Sequence, residues 1–71
     1  MQARELIVEV LRTGKGLPAE NVLLADLEGW DSLKAVRLVL RLEEIVGREL
    51  SERDIEKLQS VDDVDRLLDA A

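Results

Sequence analysis

Apolar side chains recur along this chain at the spacing of amphipathic helices. In residues 3–13 they share one helical face, which is formed by Leu6, Ile7, Val10 and Leu11. The opposite face is charged, as expected for a helix that packs on one side only. The pattern predicts a first helix that ends at Gly14 and Gly16, with Pro18 discouraging a restart.

Residues 14–31 are predicted to form a long connection between the first two helices. Long connections without secondary structure are uncommon in compact domains and often carry function. This connection is not purely polar, because it contains the bulky apolar residues Val22, Leu23, Leu24, Leu27 and Trp30. We therefore expect it to be pinned against a helical bundle and to include a short helical turn within residues 20–27.

The most regular apolar pattern lies in residues 32–46 and predicts the second helix. Asp31 is its predicted N-cap, and Gly47 is predicted to end it. On a helical wheel, the side that faces the core comprises Ala35, Leu38, Val39, Leu42 and Val46.

A short third helix is predicted after this one. Ser51 and Asp54 have the spacing of a capping box, in which each side chain accepts a backbone N–H of the other residue. The helix is expected to run to about Leu58, with Ile55 and Leu58 as its buried residues.

A second capping-box pair, Ser60 and Asp63, predicts a fourth helix that runs to about Asp69. Its inward stripe comprises Val61, Val64, Leu67 and Leu68. The predicted fold is therefore all-α: a small four-helix bundle with three main helices, one short helix and a long loop between helices 1 and 2. A single domain is expected to occupy residues 1–71.

The second helix has more apolar surface than a packed helix needs. Leu33, Val36 and Leu40 widen its apolar arc to roughly 220°, whereas a stripe of little more than about 100° is enough for packing. Part of this arc is expected to face solvent. The alternative is that the long loop covers these three side chains.

Basic residues lie beside the apolar arc. Lys34, Arg37 and Arg41 fall within roughly 60° of one another on the helical wheel. A basic ridge next to exposed apolar side chains, on a chain with formal net charge −6, is typical of a docking surface. The alternative is that the three basic residues form an ordinary solvated face.

Composition excludes several classes of function. The acidic net charge of −6 argues against nucleic-acid binding and disfavours an anionic membrane surface. The chain contains no cysteine and no histidine, which removes the commonest metal ligands and the commonest general base. The acidic residues of the fourth helix do not have the spacing of a calcium loop. No targeting segment is visible, so the expected compartment is the cytoplasm.

The plausible chemical centre is Gly29-Trp30-Asp31-Ser32-Leu33. A serine nucleophile needs an adjacent base, and Lys34 is two residues away and therefore on a different helical face. The residues therefore argue against a serine nucleophile that this chain activates by itself. Trp30 has two interpretations: it anchors the loop in the bundle, or it lies beside Ser32 and contacts what binds there.

At this motif the chain resembles the acyl and peptidyl carrier proteins, which carry Asp-Ser-Leu at the start of their second helix behind a long loop. The resemblance covers the whole chain and includes Leu24-Ala25-Asp26-Leu27, Val36-Arg37-Leu38-Val39 and Leu42-Glu43-Glu44. It implies that a separate transferase attaches 4′-phosphopantetheine from coenzyme A to Ser32. It also implies that Asp31 helps orient that reaction, together with the transferase's magnesium ion.

The resemblance further implies a carrier without catalysis of its own, which delivers thioester-linked cargo to loading and downstream synthase enzymes. Leu33, Val36 and Leu40 match the family's partner-contact positions. The initial Met1 suggests a free-standing carrier, although an excised domain could begin in the same way. A monomer is expected. The alternatives are a helical interaction module that is never modified and, least favoured, a small enzyme that uses Ser32.

Three departures from the family pattern favour a specialised carrier of nonribosomal peptide or polyketide type. Glu28 intervenes before Gly29, which predicts a different loop shape. Lys34 and Arg37 stand where carriers of fatty acid synthesis often have acids. The second helix ends in Val46-Gly47 where many members have an aromatic residue. Our hypothesis from these residues is that cognate partners present acidic or apolar surface to Lys34, Arg37 and Arg41.

Overall fold

The computed structural model describes residues 2–12, 17 and 20–70. These residues form four α-helices and one turn of 3₁₀ helix: α1 (Ala3–Leu11), the 3₁₀ turn (Leu24–Asp26), α2 (Ser32–Val46), α3 (Glu52–Glu56) and α4 (Val61–Asp69). Helix α1 packs against α2 and α4, and α2 also contacts α4. The predicted all-α bundle is confirmed.

The first helix is shorter than its apolar pattern predicted. It ends at Leu11, because Arg12 adopts the left-handed conformation (φ 55°, ψ 31°) and its N–H donates to the Val8 carbonyl at 3.0 Å. This is a C-terminal capping arrangement that glycine usually provides. The prediction that Gly14, Gly16 and Pro18 end the helix concerns residues outside the described part of the chain.

Helix α2 has the boundaries that its sequence predicted. Asp31 caps its start, since the Asp31 side chain accepts the Lys34 N–H at 2.9 Å. Gly47 ends the helix at φ 77° and donates its N–H to the Glu43 carbonyl at 2.9 Å. A residue with a Cβ would be strained at this φ, so glycine is required by the backbone rather than by space.

The core lies between α1, α2 and α4. Its fully buried large side chains are Leu6, Ile7, Leu38, Leu42, Val61 and Val64. Leu24 and Leu50 bring the two connecting segments into the same cluster. A carboxylate also links the first and last helices, because Asp65 Oδ1 accepts the Ala3 N–H at 3.3 Å.

The long connection is pinned to the start of α4, a placement that the sequence did not predict. Leu24 N–H donates to the Gln59 carbonyl at 2.9 Å, and Val61 N–H donates to the Val22 carbonyl at 3.1 Å. Asn21 Oδ1 accepts the N–H of Asp62 at 2.9 Å. The predicted helical turn within residues 20–27 is confirmed as the 3₁₀ turn.

Both predicted capping boxes are present, at the starts of α3 and α4. Helix α3 nevertheless ends at Glu56, before the predicted Leu58. Leu58 is partly buried and packs against the core, but Ile55 is 41% exposed, so its predicted burial is wrong. The prediction assumed that Ile55 and Leu58 share one helical face, but α3 ends at Glu56, so Leu58 lies beyond the helix and that relation does not hold.

Candidate functional site

Ser32 is the first residue of α2, and its side chain is exposed. Within the described part of the chain its hydroxyl forms no hydrogen bond, because Asp31 performs the capping. Asp31 accepts only the Lys34 N–H, which leaves the backbone N–H groups of Ser32 and Leu33 without an acceptor among the described residues. Unpaired N–H groups and the helix dipole favour negative charge at this position.

A tight turn formed by residues 27–30 lies just before this serine. Trp30 N–H donates to the Leu27 carbonyl at 3.1 Å, and Gly29 has a positive φ of 83°. Glu28, which departs from the family pattern, lies inside this turn and is exposed. The inserted residue is therefore accommodated at the surface, where Gly29 supplies the left-handed backbone that the turn requires.

Trp30 is half-buried and packs against the core. It also lines a cleft of about 180 Å³ that α2, the long connection and the end of α3 enclose. Other residues lining the cleft include Leu24, Ala35, Leu38, Val39 and Leu58. Trp30 therefore anchors the connection, as the first interpretation predicted, and its partly exposed ring also faces an open apolar cleft near the start of α2.

The widened apolar arc of α2 faces solvent. Leu33, Val36 and Leu40 are 53%, 55% and 54% exposed. The alternative in which the long loop covers them is wrong, because each of the three residues is more than half exposed. Ile55 of α3 joins Val36 and Leu40 along one groove of about 230 Å³. We call Leu33, Val36, Leu40 and Ile55 the apolar patch.

The predicted basic ridge divides into two parts. Arg41 is engaged within the protein: it forms ion pairs with Glu9 of α1 at 3.4 Å and with Glu44 at 2.9 Å. Lys34 and Arg37 are half-exposed, and neither forms an ion pair with another described residue. The sequence suggested equal roles for the three residues, because a helical wheel does not show contacts with α1.

A second cleft, of about 280 Å³, lies beside the apolar patch where the end of α1 meets α2. Arg12 and Arg37 line it together with Val10 and Leu40. The ion-paired residues Arg41, Glu9 and Glu44 also line it. Sequence reasoning missed Arg12. The wheel of α2 carries no information about α1, so no local signal could have placed Arg12 here.

Comparisons with known proteins agree with this geometry. Residues 2–68 match the family model described as the phosphopantetheine attachment site. The chain belongs to this carrier family. A solved structure described as an acyl carrier protein from Mycobacterium tuberculosis is similar at 32% identity and a TM-score of 0.77, covering 96% of this chain and 90% of that chain.

The cofactor of this carrier family is 4′-phosphopantetheine, which is held covalently. The first turn of α2 fits such a group. A phosphate joined to an exposed hydroxyl there would lie beside unpaired N–H groups at the positive end of the helix dipole. Family membership also implies interaction with a transferase and with synthase enzymes.

Two other kinds of functional feature are absent from the described residues. No group of three or more acidic residues there is arranged to hold a metal ion. No helix of that part of the chain is both long and apolar enough to cross a bilayer.

Proposed function

We propose that this carrier bears its phosphopantetheine arm on Ser32 and holds acyl or aminoacyl intermediates as thioesters on that arm. The observation that supports this most strongly is the exposed Ser32 hydroxyl at the first position of α2, in a chain whose residues 2–68 match the attachment-site family. The proposal also takes the carrier to be a cytoplasmic monomer that occupies residues 1–71, as the sequence led us to expect.

The transferase must supply the base that activates Ser32. No histidine is present in the chain, and Lys34, the nearest cation in the sequence, projects from another face of α2. Asp31 uses Oδ1 to accept the Lys34 N–H, and its exposed carboxylate remains open to an incoming ion. We assign Asp31 to the orientation of the transfer, together with the transferase's magnesium ion.

Transfer makes one phosphoester bond, to Ser32, and breaks the phosphoanhydride bond between the two linked phosphates of coenzyme A. The Ser32 oxygen bonds to the phosphorus that bears pantetheine, and the nucleotide half of coenzyme A leaves. The hydroxyl proton passes to the transferase. The chain has no cysteine, so the arm supplies the thiol that forms the thioester.

We assign partner contact to Leu33, Lys34, Val36, Arg37, Leu40, Arg41 and Trp30. The exposure of Leu33, Val36 and Leu40 supports this assignment, since an apolar strip of this kind is typical of an interface. The basic residues in the first half of α2 support a specialised pathway of nonribosomal peptide or polyketide type. The downstream partners are then the enzymes that load and process the cargo.

Intact-mass measurement tests the attachment site. After incubation with coenzyme A, magnesium and a broad-specificity phosphopantetheinyl transferase, we expect the mass to increase by one phosphopantetheinyl unit. Ser32→Ala should abolish the increase. Ser51→Ala is the matched control, because Ser51 is also exposed at a helix start, and this variant should still be loaded.

The alternative function is an unmodified helical module that binds partners through α2. The exposed apolar patch would also suit that role. Absence of any mass increase with transferases of several specificities would favour this alternative. A mass increase that persists in Ser32→Ala would place the arm on another residue.

A further inference from the structure

Charge is distributed unevenly around the apolar patch. The whole chain has a formal net charge of −6, but α2 carries three basic residues and two acidic ones. Both acids, Glu43 and Glu44, lie in the second half of the helix. The first half of α2, which begins with Ser32, is thus an apolar and cationic surface on an anionic molecule.

The cleft beside Leu40 brings two arginines from different helices to one place. Arg12 ends α1 in its left-handed conformation, and Arg37 lies in the middle of α2. Both line the cleft, and neither forms an ion pair with another described residue. Arg41 lines the same cleft, but Glu9 and Glu44 already neutralise much of its charge.

The conformation of Arg12 is part of this arrangement. Left-handed backbone is unfavourable for residues other than glycine, and Arg12 is the only such residue with positive φ in the described part of the chain. The turn at Arg12 puts an arginine, rather than a small residue, at the end of α1 that borders α2. The strain is thus located at the same cleft that Arg37 lines.

We propose that proteins docking over α2 present carboxylates to Arg12 and Arg37 and apolar side chains to Leu33, Val36, Leu40 and Ile55. This rests on the proposed function, since it concerns the partners of the same carrier. Unlike the hypothesis from the sequence, it adds Arg12 and Ile55 and does not depend on Arg41, which is ion-paired with Glu9 of α1 and with Glu44. The partner is a protein with an acidic rim around an apolar contact.

The docking surface lies close enough to Ser32 for a transferase that modifies this serine to contact it. Leu40 lies eight residues beyond Ser32, or about 12 Å along the axis at about 1.5 Å per residue. A docked protein covers roughly 800 Å² of each partner, which is enough to include both positions. A transferase is therefore a suitable probe for the charge preference of the surface.

The test compares two transferases, one with an acidic and one with a basic carrier-facing surface. Their kcat/KM for loading Ser32 is measured by intact mass on the wild type, Arg12→Glu, Arg37→Glu and Lys57→Glu. The last variant is the matched control, because it changes the net charge equally but lies in the cleft between α3 and α4. Circular dichroism melts confirm folding, and Arg37→Gln provides a milder variant.

We expect the transferase with the acidic surface to load the wild type faster than the transferase with the basic surface does. Arg12→Glu and Arg37→Glu should each slow it by about three- to tenfold at low ionic strength, and the difference should shrink in high salt. The basic-faced transferase should gain from the same substitutions. Lys57→Glu should leave the ratio of the two enzymes close to that of the wild type.

Three results would overturn the proposal. The first is equal loading of the wild type, Arg12→Glu and Arg37→Glu by both enzymes, which would leave the carrier function intact. The second is an equal effect of Lys57→Glu, which would indicate net charge alone. The third is self-association in light scattering that Arg37→Glu abolishes, which would make a second copy the occupant. Failure of every transferase to load Ser32 would instead contradict the carrier proposal.

Discussion

Serine stands at the start of three helices in this protein, and the three serines have different roles. Ser51 and Ser60 are N-caps: their Oγ atoms accept the N–H groups of Asp54 at 3.1 Å and Asp63 at 3.3 Å. Ser32 lies one position further into its helix, where Asp31 has already supplied the cap. A shift of one residue thus separates a hydroxyl used for folding from a hydroxyl left open for chemistry.

The two regions also differ in how completely their polar groups are paired. At the start of α4, Asp63 Oδ2 accepts the N–H groups of Gln59 and Ser60 at 3.0 and 2.9 Å. At the start of α2, the N–H groups of Ser32 and Leu33 have no acceptor among the described residues. The first region stabilises the fold, whereas the second retains unpaired groups that suit an attached phosphate.

The largest effect should come from removing the carboxylate at the start of α4. Asp63→Ala is expected to lower the free energy of unfolding by about 2 kcal/mol, because the Ser60 N–H loses its acceptor, the Gln59 N–H keeps only the Lys57 carbonyl, and half of the capping box is lost. Urea denaturation followed by circular dichroism measures this. Asp62→Ala removes the same charge from the same turn without that pairing and should cost less than about 0.5 kcal/mol. Equal costs would contradict the comparison.

The next effect distinguishes the capping serines from Ser32. Ser51→Ala is expected to lower the free energy of unfolding by about 1 kcal/mol, the usual cost of losing an N-cap. Ser32→Ala should change it by less than about 0.5 kcal/mol, since alanine favours the helix and no hydrogen bond is lost. Thermal melts of the two variants without the arm give the values. A destabilisation of Ser32→Ala as large as that of Ser51→Ala would mean that Ser32 is structural.

A substitution at the N-cap of α2 should change stability little but should slow the loading of Ser32. Asp31→Asn should change the free energy of unfolding by less than about 0.5 kcal/mol, because asparagine caps helices as well as aspartate does. Loading of Ser32 should nevertheless slow, since the amide has no charge to offer the transferase's magnesium ion. Intact mass against time measures the rate. Unchanged loading would restrict Asp31 to a capping role.

The mildest effect is a pH dependence confined to the capping boxes. Partial burial acts to raise the pKa of Asp63, but hydrogen bonds from Gln59 and Ser60, with Arg66 nearby, outweigh it and lower that pKa. Hydrogen bonds from the Ser51 backbone and Arg48 likewise lower the pKa of Asp54. Carboxylates with lowered pKa stabilise the fold above their unfolded pKa, and this contribution is lost as pH falls through the folded value.

Stability should therefore decline as the pH falls below about 4, the ordinary range of aspartate. Melting temperatures between neutral and strongly acidic pH measure the decline. Asp63→Asn has no charge to lose at this position, so its melting temperature should depend less steeply on pH than that of the wild type. Parallel curves for the two proteins would show that Asp63 does not contribute.

Local sequence predicted most of the architecture. The caps of α2, α3 and α4, the glycine that ends α2 and the surplus apolar arc all depend on residues a few positions apart, within one helix. The same holds for the placement of Ser32 at a helix start. Sequence patterns that span only a few residues determine the backbone hydrogen bonds and the side-chain faces within one segment. They can therefore be interpreted without knowing what the segment packs against.

Only the tertiary structure decided which surface the charged residues share. The pairing of Arg41 with Glu9, the meeting of Arg12 and Arg37 in one cleft, and the attachment of the long connection to α4 join residues distant in the chain. The exposure of Ile55 likewise depends on how short α3 is and how it lies against α2. Such contacts arise from packing between segments, which periodicity within a single segment does not contain.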